Sequence, residues 1–106
     1  MSGAEGNFRP ILFMNPYEEK QISKNVFERI FKENDQEYFE WHRDKEKRKI
    51  VVLDAGPNWY FQLDNCLPEE LFTGKIITIP CEVFHRIISG QGNLKIRLIK
   101  DFEGEL

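Results

Sequence analysis

Two histidines occur in the 106 residues, and both sit beside residues that can do chemistry with them. His42 is followed two positions later by Asp44, a spacing that in an extended strand turns both side chains to one face. His85 lies in an otherwise apolar stretch, next to Phe84 and two residues before Ile87. Two imidazoles and one carboxylate suit Fe(II), Mn(II), Ni(II) or Zn(II), and they leave coordination positions open for a ligand. The competing interpretation is structural. Arg43 to Arg48 reads as a solvated, charged turn, and a buried, hydrogen-bonded histidine needs no metal.

The elements that must position these residues are short and β-like. Ile22 to Phe31 fits either a helix by its 3,4 spacing or a strand by alternation, and is read as a strand because the segments downstream of it are β. Tyr38, Phe39 and Trp41 precede the charged turn, and Ile50-Val51-Val52-Leu53 then has the β-branched run of a buried strand. Asp54 to Asn58 is a turn signal, Trp59 to Leu63 the next strand, and Leu67 to Gly74 a connection with at most one helical turn. Lys75 to Ile79 is a strand stopped by Pro80. His85 to Ile88 and Leu94 to Ile99, separated by Ser89 to Asn93, read as a hairpin. The alternation predicts a core of Ile50, Val52, Phe61, Leu63, Ile77, Ile79, Ile87, Ile96 and Leu98. Many short strands between turns, without a sustained helix, predict an all-β sandwich or barrel.

Size and charge narrow the class. A chain of 106 residues fits one domain, read here as an N-terminal arm over 1–18 and a β-barrel domain over 19–106. The 15 basic against 18 acidic side chains leave a net charge of -3, which argues against a nucleic-acid partner. No apolar run approaches the roughly 20 residues of a membrane span, and residues 1–6 lack the regions of a signal peptide, so the expected location is cytoplasmic, with no membrane partner. Cys66 and Cys81 have no metal or redox spacing and are read as reduced and structural. The apolar cluster Phe8, Ile11, Leu12, Phe13 and Met14 in the arm predicts a homodimer formed by strand addition.

The run from Gly74 to Ser89 resembles the second motif of the cupin superfamily. Gly74, Pro80 and His85 fall on its glycine, proline and histidine, while Glu82 stands at its second glycine and Ser89 at its asparagine. In the first cupin motif His42 and Gly56 match, Asp44 takes the place of the second histidine, and Lys49 takes the place of the glutamate. The resemblance spans about Glu40 to Ile99. It implies a double-stranded β-helix, the jelly-roll barrel of the cupins, with His42, Asp44 and His85 converging on a metal. His-x-Asp with a distal histidine is also the ligand pattern of 2-oxoglutarate oxygenases, in which Arg97 would take the place of the 2-oxoglutarate-binding base; the chain is short for that class.

Two functions are expected from this pattern. In the first, the barrel binds one divalent metal together with a small polar or anionic molecule, with Tyr60, Gln62 and Arg97 as candidate ligand contacts and Arg48 and Arg86 as further candidate bases. In the second, the motifs are degenerate and the protein is a metal-free, dimeric binding or structural module. Lys49 beside the metal would repel a cation unless its ammonium points away or pairs with an acid such as Asp54.

Overall fold

The computed structural model describes residues 17–34 and 39–102. Eight strands lie among them: β1 (Tyr17–Ser23), β2 (Val26–Phe31), β3 (Lys47–Ala55), β4 (Tyr60–Leu63), β5 (Glu69–Glu70), β6 (Ile76–Ile79), β7 (His85–Ile88) and β8 (Leu94–Asp101). They form two antiparallel sheets. One has the order β1-β2-β8-β3-β6, the other β5-β4-β7. The fold is all-β and is the jelly-roll arrangement of the double-stranded β-helix.

The core follows from alternation. β8 reads Leu94, Ile96, Leu98 on one face and Lys95, Arg97 on the other, and the three apolar residues are buried. Its neighbours obey the same register: Leu98 lies opposite Phe27 and Ile50, and Ile96 opposite Arg29 and Val52. Ile50, Val52, Phe61, Ile77, Ile79, Ile87, Ile96 and Leu98 are all buried as expected, while Leu63 packs partly buried against them. Trp59, Leu71, Leu94 and Phe31 complete the core. Trp59 is fully buried and donates its indole N–H to the Gln91 carbonyl at 3.1 Å, which satisfies the one polar group a core tryptophan brings.

Trp59 marks the closed end of the barrel. There the loops after β3 and after β7 touch so closely that a Cβ on Gly90 would meet the Pro57 carbonyl oxygen at 2.3 Å, and one on Gly56 the Gln91 carbonyl oxygen at 2.0 Å. Glycine is required at both positions because backbone occupies the space of a side chain. At the other end of β4, Leu63 pairs with His85, so the two ends of this sheet are specialised differently.

Three local expectations change. The segment 22–31 is not one strand: Lys24-Asn25 turn the chain, and β1 pairs with β2 as a hairpin. β7 and β8 do not form a hairpin with each other; β7 pairs with β4 and β8 with β2 and β3. Ser89 to Asn93 thus crosses between sheets, which alternation within each strand cannot reveal. The connection Leu67 to Gly74 holds the two-residue strand β5 rather than a helical turn. The expected arm strand and dimer contact at Phe8 to Met14, and Tyr38, lie outside the described residues.

Candidate metal centre

The strap from Phe39 to Asp44 extends the smaller sheet beyond β7. The Phe39 N–H donates to the Ile87 carbonyl at 3.0 Å, and His42 and His85 exchange both backbone bonds, at 3.0 and 2.9 Å. The Glu82 N–H donates to the Asp44 carbonyl at 2.7 Å. His42 and His85 are therefore a directly opposed antiparallel pair, and Asp44 follows on the same side of the strap as His42.

The side chains converge accordingly. Nε2 of His42 lies 3.0 Å from Nε2 of His85. Oδ2 of Asp44 lies 3.4 Å from Nε2 of His85 and 3.9 Å from Nε2 of His42. A point equidistant from these three atoms is about 2.0 Å from each, which is the length of Zn–N and Zn–O bonds, ~2.0–2.2 Å. Among the described residues these three form the one group of histidine and acidic side chains with metal-site spacing.

The surroundings prepare each donor. His85 is 3% exposed, and its Nδ1 lies 2.9 Å from the Val83 carbonyl. Nδ1 must carry the proton to make that bond, so Nε2 keeps its lone pair facing Asp44 and His42, the tautomer a metal requires. Burial holds the His85 imidazole below its ordinary value of 6.5; the nearby His42 and Arg48 push the same way, against the Val83 carbonyl and Asp44. Phe61 stacks on its ring at 5.7 Å between centroids. Arg48 Nη2 pairs with Oδ1 of Asp44 at 3.1 Å, and Arg48 Nε donates to Glu46. That leaves Oδ2 of Asp44 buried and without a hydrogen bond. A buried carboxylate oxygen without a partner is costly, and a cation at the shared point would satisfy it. The His42 side chain is 52% exposed, so the group opens to solvent on that side.

Behind the triad lies a cavity of about 540 Å³. Phe61, Ile79, Ile87, Ile96 and Leu98 line its depth, Trp41 and Glu40 its mouth, and Tyr17, Phe31 and Phe39 one side. Tyr17 meets Phe31, Phe31 meets Phe39, and Phe39 stacks on Trp59, with centroids 5.1, 5.4 and 6.2 Å apart.

The three candidate metal residues thus come together, but the candidate ligand contacts Tyr60, Gln62 and Arg97 do not join them. Phe61 takes the inward position of β4, so Tyr60 and Gln62 fall on the opposite face; Gln62 accepts from Arg86 at 2.9 Å and donates to the Cys66 carbonyl. Arg97 alternates outward between Ile96 and Leu98 and pairs with Glu28 at 2.7 Å. Arg86 likewise lies outside, 4.4 Å from the Trp41 ring centroid. Of the basic candidates only Arg48 lines the cavity, joined by Arg29, which was not among the residues expected there. The signal for Arg29 was its place between Phe27 and Phe31 on one face of a strand. Lys49 alternates to the face opposite Arg48 and Ile50, so its ammonium does not oppose a cation at the triad.

Eight antiparallel strands in two sheets around an apolar cavity, with histidines on facing segments at one end, make this a cupin-like fold. A cupin-2 domain protein from Shewanella frigidimarina NCIMB 400 superposes with a TM-score of 0.61 over 84% of this chain and 84% of its own, at 19% identity. A cupin domain protein from Bordetella pertussis Tohama I gives 0.58 over 79% and 88%, also at 19% identity. DMSP lyase DddQ from Ruegeria pomeroyi DSS-3 gives 0.69 over 96% of this chain at 14% identity, and this chain spans 55% of the lyase's length. No family model and no curated protein matches the sequence. No helix among the described residues is long and apolar enough to cross a membrane.

Proposed function

We propose that this chain is a cupin-like metal-binding protein in which His42, Asp44 and His85 hold one divalent transition-metal ion and a small polar or anionic molecule enters the cavity beside it. The observation that carries this reading is the buried Oδ2 of Asp44, which has no hydrogen-bond partner and shares one bond-length point with two imidazole nitrogens. When bound, such an ion supplies Lewis-acid polarisation to a ligand oxygen and leaves positions open for it. The chain's own residues do the rest. Val83 fixes the His85 tautomer, Arg48 holds Asp44 by its other oxygen, and the apolar depth of the cavity keeps water from the ligand's body. Iron, manganese, nickel and zinc all suit this donor set.

Metal analysis of untagged protein, followed by titration of Ni(II), Zn(II), Mn(II) and Fe(II) into chelator-stripped protein, tests the reading. One equivalent should bind in the wild type, and none tightly in His85→Ala. A second reading, the metal-free module, has support in the Asp44–Arg48 ion pair, which already neutralises the carboxylate, and in a 3.0 Å Nε2 separation that also suits a ring N–H···N bond. Under it, added metal leaves the unfolding temperature unchanged.

A further inference from the structure

The cavity holds a second inward-facing cation that the triad does not use. Phe27, Arg29 and Phe31 share the face of β2 that lies against Leu98, Ile96 and Leu94, all buried. Arg29 therefore projects into the barrel, and its side chain is 11% exposed. Glu19 on β1 accepts from its Nε, and the guanidinium lies 4.2 Å from the Tyr17 ring centroid. These two contacts fix the plane of the guanidinium and occupy one of its edges. Among the described residues nothing accepts from its terminal amino groups, which carry four N–H donors in a fork.

We propose that Arg29 is a carboxylate subsite, and that the cavity takes a small aliphatic carboxylate whose acid group sits on this fork and whose apolar body runs along Phe31, Ile96 and Leu98 toward the triad. A monoanion fits better than a phosphate. Glu19 already balances part of the Arg29 charge, Arg48 is taken by Asp44 and Glu46, and Glu40 stands at the mouth. The edge of the planar fork between the two amino groups presents one N–H from each and matches one carboxylate bidentately. The walls between the two ends are apolar, so they reward a hydrocarbon body rather than a second polar group. Arg29 lies beside Ile96 and Arg48 beside Lys100, four residues apart along β8, or roughly 13 Å at ~3.3 Å per residue. Long side chains reach in from both ends, which limits the ligand to a short chain. What the far end of the ligand meets rests on the metal reading above; the carboxylate end does not.

Hexanoate and hexanamide, matched in shape but not in charge, are the probes. Calorimetric titration into nickel-loaded and into metal-free wild-type protein should show hexanoate binding at least tenfold tighter than hexanamide in both. Arg29→Gln should weaken hexanoate at least tenfold, and Arg29→Lys, which keeps the charge without the fork, by a smaller factor, with nickel affinity unchanged in each. Equal binding of the two probes, or unchanged hexanoate affinity in both variants, overturns the subsite. So does loss of hexanoate binding in His85→Ala but not in Arg29→Gln, because the acid group would then sit on the metal. If nickel does not bind wild-type protein, the metal reading fails, while Arg29-dependent hexanoate binding by the metal-free protein still supports the subsite.

Discussion

His42 and His85, 43 residues apart in the chain, are joined twice, by a reciprocal pair of backbone hydrogen bonds at 3.0 and 2.9 Å and by ring nitrogens 3.0 Å apart. The backbone pairing sets the side-chain geometry, so the donor atoms are organised before any ion arrives. Little ordering entropy then opposes binding.

That arrangement predicts different costs for the two histidines. His42 is half exposed and contributes little to packing, so His42→Ala should change the stability of metal-free protein by no more than about 0.5 kcal/mol. His85 is buried against Phe61 and bonded to Val83, so His85→Ala should cost about 2–3 kcal/mol. With metal about a hundredfold above its dissociation constant, wild type should gain roughly 2.7 kcal/mol, and both variants should lose that gain. Urea unfolding of the three proteins with and without Ni(II) measures each of these values. A metal-induced gain that survives in both variants would place the ion elsewhere.

Arg48 and Asp44 form the next test. Both side chains are largely buried, and Arg48 also serves Glu46. Arg48→Met would leave two inward carboxylates without their cation, and breaking such a pair costs about 3 kcal/mol. Metal should reverse part of this loss, because the ion replaces the missing charge beside Asp44. Equal destabilisation with and without metal would separate Arg48 from the site.

The site was legible in the sequence to the extent that it rested on alternation and spacing. His42 with Asp44, and the burial of His85 between Phe84 and Ile87, follow from period 2, as does nearly all of the core. The inward arginine was misassigned for a physical reason. Alternation turns Arg97 away from the core residues Ile96 and Leu98, whereas on β2 both faces carry apolar residues, Val26 and Ile30 on one and Phe27 and Phe31 on the other, so only strand order and register show that Arg29 takes the inner one. Register between distant strands is set by long-range pairing, which one segment's pattern does not encode. The crossing of Ser89 to Asn93 between sheets was hidden for the same reason. Asp44, placed by its neighbours in a charged turn, is held inward by its ion pair with Arg48, four residues on.

Acid should release the metal and then weaken the fold. Burial holds His85 below the 6.5 of an unfolded chain. Its neutral form therefore contributes stability that is complete above about 6.5 and is lost as pH falls through the folded-state value. The denaturation midpoint of metal-free protein should be flat from about pH 8 to 7 and decline below about 6.5, with that part of the decline missing in His85→Ala. In metal-loaded protein the decline should be steeper, since protonated imidazole cannot coordinate. If His85→Ala shows the same profile as wild type, His85 is not the group responsible.

Glu82 stands where the second cupin motif has a glycine, and the backbone there shows why glycine is usual: its φ is +59°. A side chain in the left-handed region costs roughly 1–2 kcal/mol relative to glycine. The Glu82 carboxylate returns little, since its ion pair with Arg43 is 3.6 Å long and exposed. Its backbone N–H, which donates to Asp44, is kept by any replacement except proline. Glu82→Gly should therefore stabilise the protein by about 0.5–1 kcal/mol, allowing for the extra freedom of glycine in the unfolded chain, and raise the melting temperature by roughly 4 °C. Glu82→Ala separates strain from charge, because it removes the carboxylate and retains the strained conformation. It should leave stability within about 0.5 kcal/mol of wild type. Metal affinity should be equal in all three proteins, as Glu82 contacts the site only through that backbone bond. An alanine variant as stable as the glycine variant would show that backbone strain at Glu82 is not what the substitution relieves.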